Sequence, residues 1–114
     1  MKLLKEHKMK QGFESYHWDD EKGNPEGGVS IGKGFTISWQ RGPLKVGEQK
    51  LISNGAFVEE VIGAIIDRME YYQRGKFASD YNETAIMNLK DALKALQSRT
   101  KDRERRGVEG THQK

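Results

Sequence analysis

Residues 81–106 read YNETAIMNLKDALKALQSRTKDRERR, and they decide the fold. In their first half Ala85, Ile86, Leu89, Ala92, Leu93 and Leu96 recur at spacings of three and four, laying one apolar stripe along a helix. Asp80 is the expected N-cap, with Glu83 three residues on to complete a capping box. Gly107 stands where a left-handed C-terminal cap belongs. After Leu96 the stripe stops, yet nothing breaks the helix. At roughly 1.5 Å per residue the element is about 40 Å long, so its charged end projects past the core that its first half helps to build. On that end Arg99, Arg103 and Arg106 fall at i, i+4 and i+7 and share one face, with no acid between them on it.

Working back from this helix, the chain offers a partner for it. Ser53-Asn54-Gly55 opens a first helix over about Ala56–Gln73, with Asn54 or Ser53 as its cap. Two apolar stripes run along that helix: Phe57, Val61, Ala64, Ile65 and Tyr72 form one, and Val58, Ile62, Ile66 and Met69 flank it. A surface helix has a narrower apolar face than this, so one side is expected to pack on the second helix and the other on a sheet or a second chain. Gly75 ends the helix and Lys76–Ser79 makes the short link of a helical hairpin spanning residues 54–106.

Upstream, residues 13–52 read as a β-rich region. Phe13–Trp18 is short and aromatic, as an edge strand would be. Asp19–Gly34 is rich in Gly, Asp and Glu and reads as a long loop. Gly34–Arg41 is the clearest strand, with Phe35, Ile37 and Trp39 alternating against Thr36, Ser38 and Gln40. Gly42-Pro43 ends it, and Leu44–Ile52 returns as a strand interrupted by Gly47. Residues 1–12 read as a frayed or loosely docked arm and residues 107–114 as a tail. The expected architecture is α+β: one domain, a small antiparallel sheet followed by a long two-helix hairpin.

Composition limits the function classes. A chain of 114 residues that is 34% hydrophobic and 32% charged has a modest core, and assembly with further copies would help it bury apolar surface. With no cysteine there are no disulfides or thiolate metal sites. The start, MKLLKEHKMK, has an apolar run too short for a signal peptide, and no stretch has the length of a membrane span. The expected location is therefore the cytoplasm, and Asn82-Glu83-Thr84 is a chance glycosylation sequon. The formal net charge is +3, and residues 99–114 carry six basic side chains against three acidic ones, so the positive potential is local.

Several motifs point to chemistry and then fall short of it. Gly27–Gly34 contains G-x-x-x-x-G-K, but a phosphate loop needs Ser or Thr after the lysine, a strand before and a helix after. Here Gly34 follows Lys33 and a strand comes next, so an ATPase is rejected. His7, His17 and His112 are scattered without metal-ligand spacing, and no serine sits in a nucleophile elbow. No metal, cofactor or catalytic residue is expected. The arginine face is the strongest candidate, because guanidinium forks suit bidentate contact with phosphate oxygens. Its plainer alternative is a solvated charge run paired with Asp102 and Glu104. Tyr71, Tyr72, Phe77 and Tyr81 add aromatic faces that can stack on a base, although ordinary packing at the hairpin tip accounts for at least two of the four.

A family resemblance rests on these residues. Asn54-Gly55-Ala56-Phe57-Val58-Glu59, Tyr71-Tyr72-Gln73, Lys76-Phe77 and Gly34–Gln40 resemble the phage-encoded sponges that defeat Thoeris immunity. The stretch from Arg99-Thr100-Lys101-Asp102-Arg103-Glu104 through Gly107–His112 is the most specific part of the likeness, which covers roughly residues 34–112. The helical hairpin is also similar to phage sponges for the cyclic oligonucleotides of CBASS defence. The resemblance implies a non-enzymatic protein that binds glycocyclic ADP-ribose isomers whole. It implies dimers and hexamers with pockets between subunits, and in some members separate sites for cyclic di- or trinucleotides.

Carried over, Arg99 and Arg103 match phosphate-contacting arginines, Asn82 a pocket asparagine, and Tyr72 a base-stacking aromatic with an added hydroxyl. Arg106 and Phe77 extend that set. Lys45 stands where the family's linker after Gly-Pro-Leu often carries arginine, at the second nucleotide site. The alternatives are a small nucleic-acid-binding protein using the basic end of the second helix, and an enzyme that degrades the same signal.

Overall fold

The computed structural model describes the backbone of Lys2–His7 and all of residues 12–114. Among the described residues, six strands precede two helices: β1 (Lys2–His7), β2 (Phe13–Asp19), β3 (Pro25–Gly32), β4 (Thr36–Arg41), β5 (Lys45–Val46), β6 (Gln49–Lys50), α1 (Val58–Gln73) and α2 (Asp80–Arg105). The fold class is α+β, as the hydrophobic periods imply. By its contacts the chain divides into two compact units, one running to Phe57 and including Val108–Lys114, the other Val58–Gly107.

In the first unit β1 to β4 form an antiparallel meander in the order β1-β2-β3-β4. Cross-strand pairs Ser15↔Ser30, Tyr16↔Val29, Ser30↔Ile37 and Gly28↔Trp39 fix its register. Inside it sits a polar cluster. Ser15 Oγ and Ser30 Oγ lie 2.7 Å apart, and the Trp39 indole N–H donates to Ser30 Oγ at 3.0 Å. Both serines are buried, and these bonds offset the cost of taking their hydroxyls from water.

Several sequence expectations shift here. Phe13–Trp18 is no edge: β2 pairs with β1 on one side and β3 on the other. The expected glycine loop is mostly strand, because Val29-Ser30-Ile31 is held by ladders on both flanks and the turn shrinks to the residues around Asp20–Asn24. The arm is replaced over residues 2–7 by β1, while its residues 1 and 8–11 lie outside those described. Leu44–Ile52 contributes only the two-residue ladders of β5 and β6.

The edge of β4 is covered by the segment that leads to α1. Ala56 N–H donates to Ser38 O at 2.7 Å and Gln40 N–H to Ala56 O at 3.0 Å, a parallel bridge beside Trp39. Gly55 makes this approach possible, since a Cβ there would lie 2.6 Å from the Trp39 carbonyl carbon. Asn54, expected as a helix cap, pairs instead with the Arg41 backbone: Arg41 N–H donates to its Oδ1 at 2.8 Å and its Nδ2 donates to Arg41 O at 3.0 Å. Ser53 Oγ reaches Gln40 Oε1 at 3.1 Å. Both candidate caps serve the sheet, and α1 starts two residues later than the sequence implies.

The second unit is an antiparallel helical hairpin. Its buried apolar residues are Ile66 on α1 and Ile86 on α2, at 7% and 5% exposure. Ala85, Leu89, Leu93 and Leu96 continue the α2 stripe at intermediate burial, but Ala92 is exposed. Ser79, not Asp80, caps α2: its extended backbone (φ −158°, ψ 161°) aims the hydroxyl at Asn82 N–H, 3.1 Å away. Asp80 becomes the first helical residue, where its carboxylate still meets the positive end of the helix dipole. Gly107, with φ +73°, closes the other end as expected. Along α1 one side remains uncovered, with Val58 49% and Ile65 45% exposed.

Candidate ligand-binding site

The predicted site residues fall into three groups. Tyr72, Phe77 and Asn82 lie at the hairpin tip, where α1 ends and α2 begins. Arg99, Arg103 and Arg106 lie in the last two turns of α2 and its cap. Lys45 belongs to the other unit, in β5.

Hydrogen bonds from side-chain amides shape the tip. Gln73 Oε1 accepts from Ser79 N–H at 2.9 Å, and Gln73 Nε2 donates to Ser79 O at 3.1 Å and Glu83 Oε2 at 3.3 Å. Asn82 Nδ2 donates to Phe77 O at 2.9 Å, which ties the amide to the connection and leaves its Oδ1 as an acceptor for another group. Phe77 and Tyr81 are exposed, and Lys76 Nζ lies 5.7 Å from the Phe77 ring centre. The rings of Tyr71 and Tyr72 sit 5.8 Å apart, tilted by 56°. Beside them stands Arg68, a residue the motif reading passed over. Its Nε donates to Tyr72 Oη at 3.2 Å, and its guanidinium carbon lies 4.9 Å from the Tyr71 ring centre and 5.0 Å from that of Tyr72. The signal was in the sequence, since an arginine three and four residues before two tyrosines shares their helix face.

Ion pairs shape the base. Arg99 Nη2 lies 3.6 Å from Glu59 Oε1 across the hairpin, and Lys90 Nζ lies 3.4 Å from Glu70 Oε2 midway. Arg106 Nε donates to Asp102 Oδ2 at 3.1 Å, and Arg105 bonds the other Asp102 oxygen. The face therefore does hold an acid: Asp102 is one turn before Arg106 and draws it sideways. The Arg105 hydrogen bond, then the Arg106 charge, hold the Asp102 carboxyl below the usual carboxylate range. Arg103 is half-buried, one turn beyond the exposed Arg99 and seven residues after Leu96, so it extends the line of the apolar stripe.

Tip and base cannot meet within one hairpin. Asn82 and Arg99 are 17 positions apart on one continuous helix, a separation of about 25 Å. The Glu59–Arg99 and Glu70–Lys90 pairs show that α1 runs antiparallel to α2, so Tyr72 stays at the Asn82 end.

Lys45 lines a separate open cavity of about 830 Å³ in the β unit, with Asp20, Lys22, Asn24, Pro43, Gly47, Thr111 and His112 among its walls. The C-terminal segment that supplies one wall is tied to the β4–β5 link: Gly110 O accepts from Leu44 N–H at 2.7 Å and Lys45 N–H at 2.8 Å. Asp20 folds the β2–β3 turn by accepting from Lys22 and Asn24 N–H at 2.9 Å each. The Asn24 bond is the main cause that lowers its pKa. No helix among the described residues is long and apolar enough to cross a membrane.

No protein-family model matches the chain. It is 43% identical over 83 residues to the curated protein Thoeris anti-defense 1 of Bacillus phage SBSphiJ7, an alignment covering 73% of this chain and 56% of that protein. The chain thus spans little more than half the length of that relative. With such identity over nearly three quarters of its own residues, the chain belongs to the anti-Thoeris family to which that phage protein belongs.

Proposed function

We propose that this chain counters Thoeris defence by binding a cyclic nucleotide signal, a glycocyclic ADP-ribose isomer, and holding it uncleaved. The observation that carries this reading is the division of the candidate residues between the two ends of one hairpin. Tyr72 and the free carbonyl side of Asn82 suit a base and its sugar, and Arg99 and Arg103 suit a pyrophosphate. About 25 Å apart, they cannot grip one small ligand from a single chain. A second copy lying antiparallel would set its base against the first copy's tip and complete two equivalent pockets. The exposed Val58 and Ile65 stripe gives such a copy an apolar face to cover. Dimers built this way, and hexamers built from them, are the assembly we assign. Lys45 and its cavity are assigned to a second, cyclic-oligonucleotide site.

The same arginines could track a nucleic-acid backbone, but Glu59 and Asp102 offset part of the charge that such binding requires. The deciding experiment incubates the protein with glycocyclic ADP-ribose, removes free ligand by filtration, denatures the protein by heat and identifies what is released. Intact ligand is the expected result. Altered ligand would mean an enzyme, and no capture would return the basic helix end to nucleic acid. Mixing an Arg103→Ala chain with a Tyr72→Ala chain, each deficient alone, should restore roughly a quarter of the sites if each pocket draws on two copies. Mixtures as inert as their components would show that it does not.

A further inference from the structure

We infer that Arg68 is a positioning residue of this ligand site, fixing the Tyr72 ring in a base-stacking orientation through the hydrogen bond from its Nε to the Tyr72 hydroxyl. The inference rests on the sponge reading above. A tyrosine ring on a helix surface turns within a broad, two-fold χ2 well, and Tyr72 is only half-buried. Packing alone therefore leaves it free to swing. The Arg68 Nε contact at 3.2 Å holds the far end of the ring and so fixes where its long axis points, while the guanidinium beside the ring bears on the tilt of its plane.

The guanidinium carbon lies within cation–π distance of both tyrosines, at 4.9 and 5.0 Å, so one cation ties the two rings into a unit. A cation over one face of Tyr72 also draws π density toward it, which favours an electron-rich, neutral purine on the opposite face. The device needs a hydroxyl. A phenylalanine at position 72 would offer the same stacking surface without the latch.

A double-mutant cycle in ligand affinity tests this. Glycocyclic ADP-ribose is titrated calorimetrically into the full chain, Arg68→Ala, Tyr72→Phe and the double variant, with thermal midpoints measured in parallel. Each single change is expected to weaken binding about threefold to tenfold. The double variant should bind no more weakly than the worse single, because both remove the same bond. The midpoints should stay together, since Arg68 is exposed and both changes leave the half-buried Tyr72 ring in place. A purely structural role for Arg68 would lower the midpoint and cost the same in the Tyr72→Phe background. Losses that multiply in the double variant, or singles that bind like the parent, overturn the latch while leaving the sponge reading intact. Failure of the parent chain to bind overturns both.

Discussion

The tip and the base of the hairpin are built from opposite chemistries. At the tip, Gln73 and Asn82 place neutral amides against backbone groups, and aromatic rings face outward. At the base, Arg99, Arg105 and Arg106 are met by Glu59 and Asp102 in exposed ion pairs. Neutral bonds to backbone are indifferent to salt, while exposed ion pairs weaken as the Debye length shrinks. The tip is thus a fixed surface and the base an adjustable one. On the proposed reading, a phosphate arriving at the base would compete with these carboxylates for the guanidinium groups.

The largest perturbation attacks what keeps the two ends apart. Ile86→Ala empties the most buried apolar position in the hairpin and should cost about 2 to 5 kcal/mol in denaturant unfolding. A cost under about 1 kcal/mol would mean that the ends are spaced by helix propensity alone. Next comes the base. Arg103→Ala should weaken binding of glycocyclic ADP-ribose by about 1.5 to 3 kcal/mol, tenfold or more, with helical circular dichroism unchanged. Equal affinity in parent and variant would remove the base from the ligand site.

Much of this arrangement was legible in the chain. The 3–4 spacing from Ala85 to Leu96 gives α2, the alternation from Phe35 to Trp39 gives β4, and Gly107 closes the helix where the pattern says it should. The distance from Asn82 to Arg99 also follows from counting residues along one unbroken helix. What stayed hidden are choices between local partners of similar strength. Ser79 and Asp80 are both good caps, and which one acts depends on how Gln73 pins the connection. Asn54 reads as a cap until the free edge of β4 claims its amide. The glycines of β3 read as loop because their ladder partners are distant in sequence. Asp102 reads as a neighbour of the arginine face, and only side-chain geometry sets it between Arg105 and Arg106.

Smaller effects sharpen the contrast. Ser79→Ala removes the hydroxyl that meets Asn82 N–H and should cost about 1 kcal/mol. Amide exchange should rise at Asn82 and Glu83 but not at Arg99, and a uniform rise along α2 would show that tip and base open together. The smallest effect is a pH dependence at the base. Asp102 has its carboxyl pKa lowered in the folded chain. Its contribution to stability is therefore complete above the unfolded pKa, about 3.9, and fades as pH falls through the lower folded value. Asp102→Asn should flatten the acid limb of thermal midpoint against pH by lowering the neutral plateau slightly, leaving the most acid values in place. An unchanged acid limb would assign that slope to another carboxylate, with Asp20 next in line.

The hydrogen bonds from Leu44 and Lys45 to Gly110 bear on the order of events during synthesis. The hairpin is an insertion: the chain leaves the β unit at Phe57 and rejoins it at Val108. A nascent chain that has made every strand still lacks the carbonyl that caps the β4–β5 link, and it must produce both helices before that carbonyl exists. At a few to about 20 residues per second, the wait lasts several seconds. Helices form locally and far faster than this. The hairpin can therefore be whole, with its arginines already displayed, while the β unit whose sequence it interrupts is still missing its last strap.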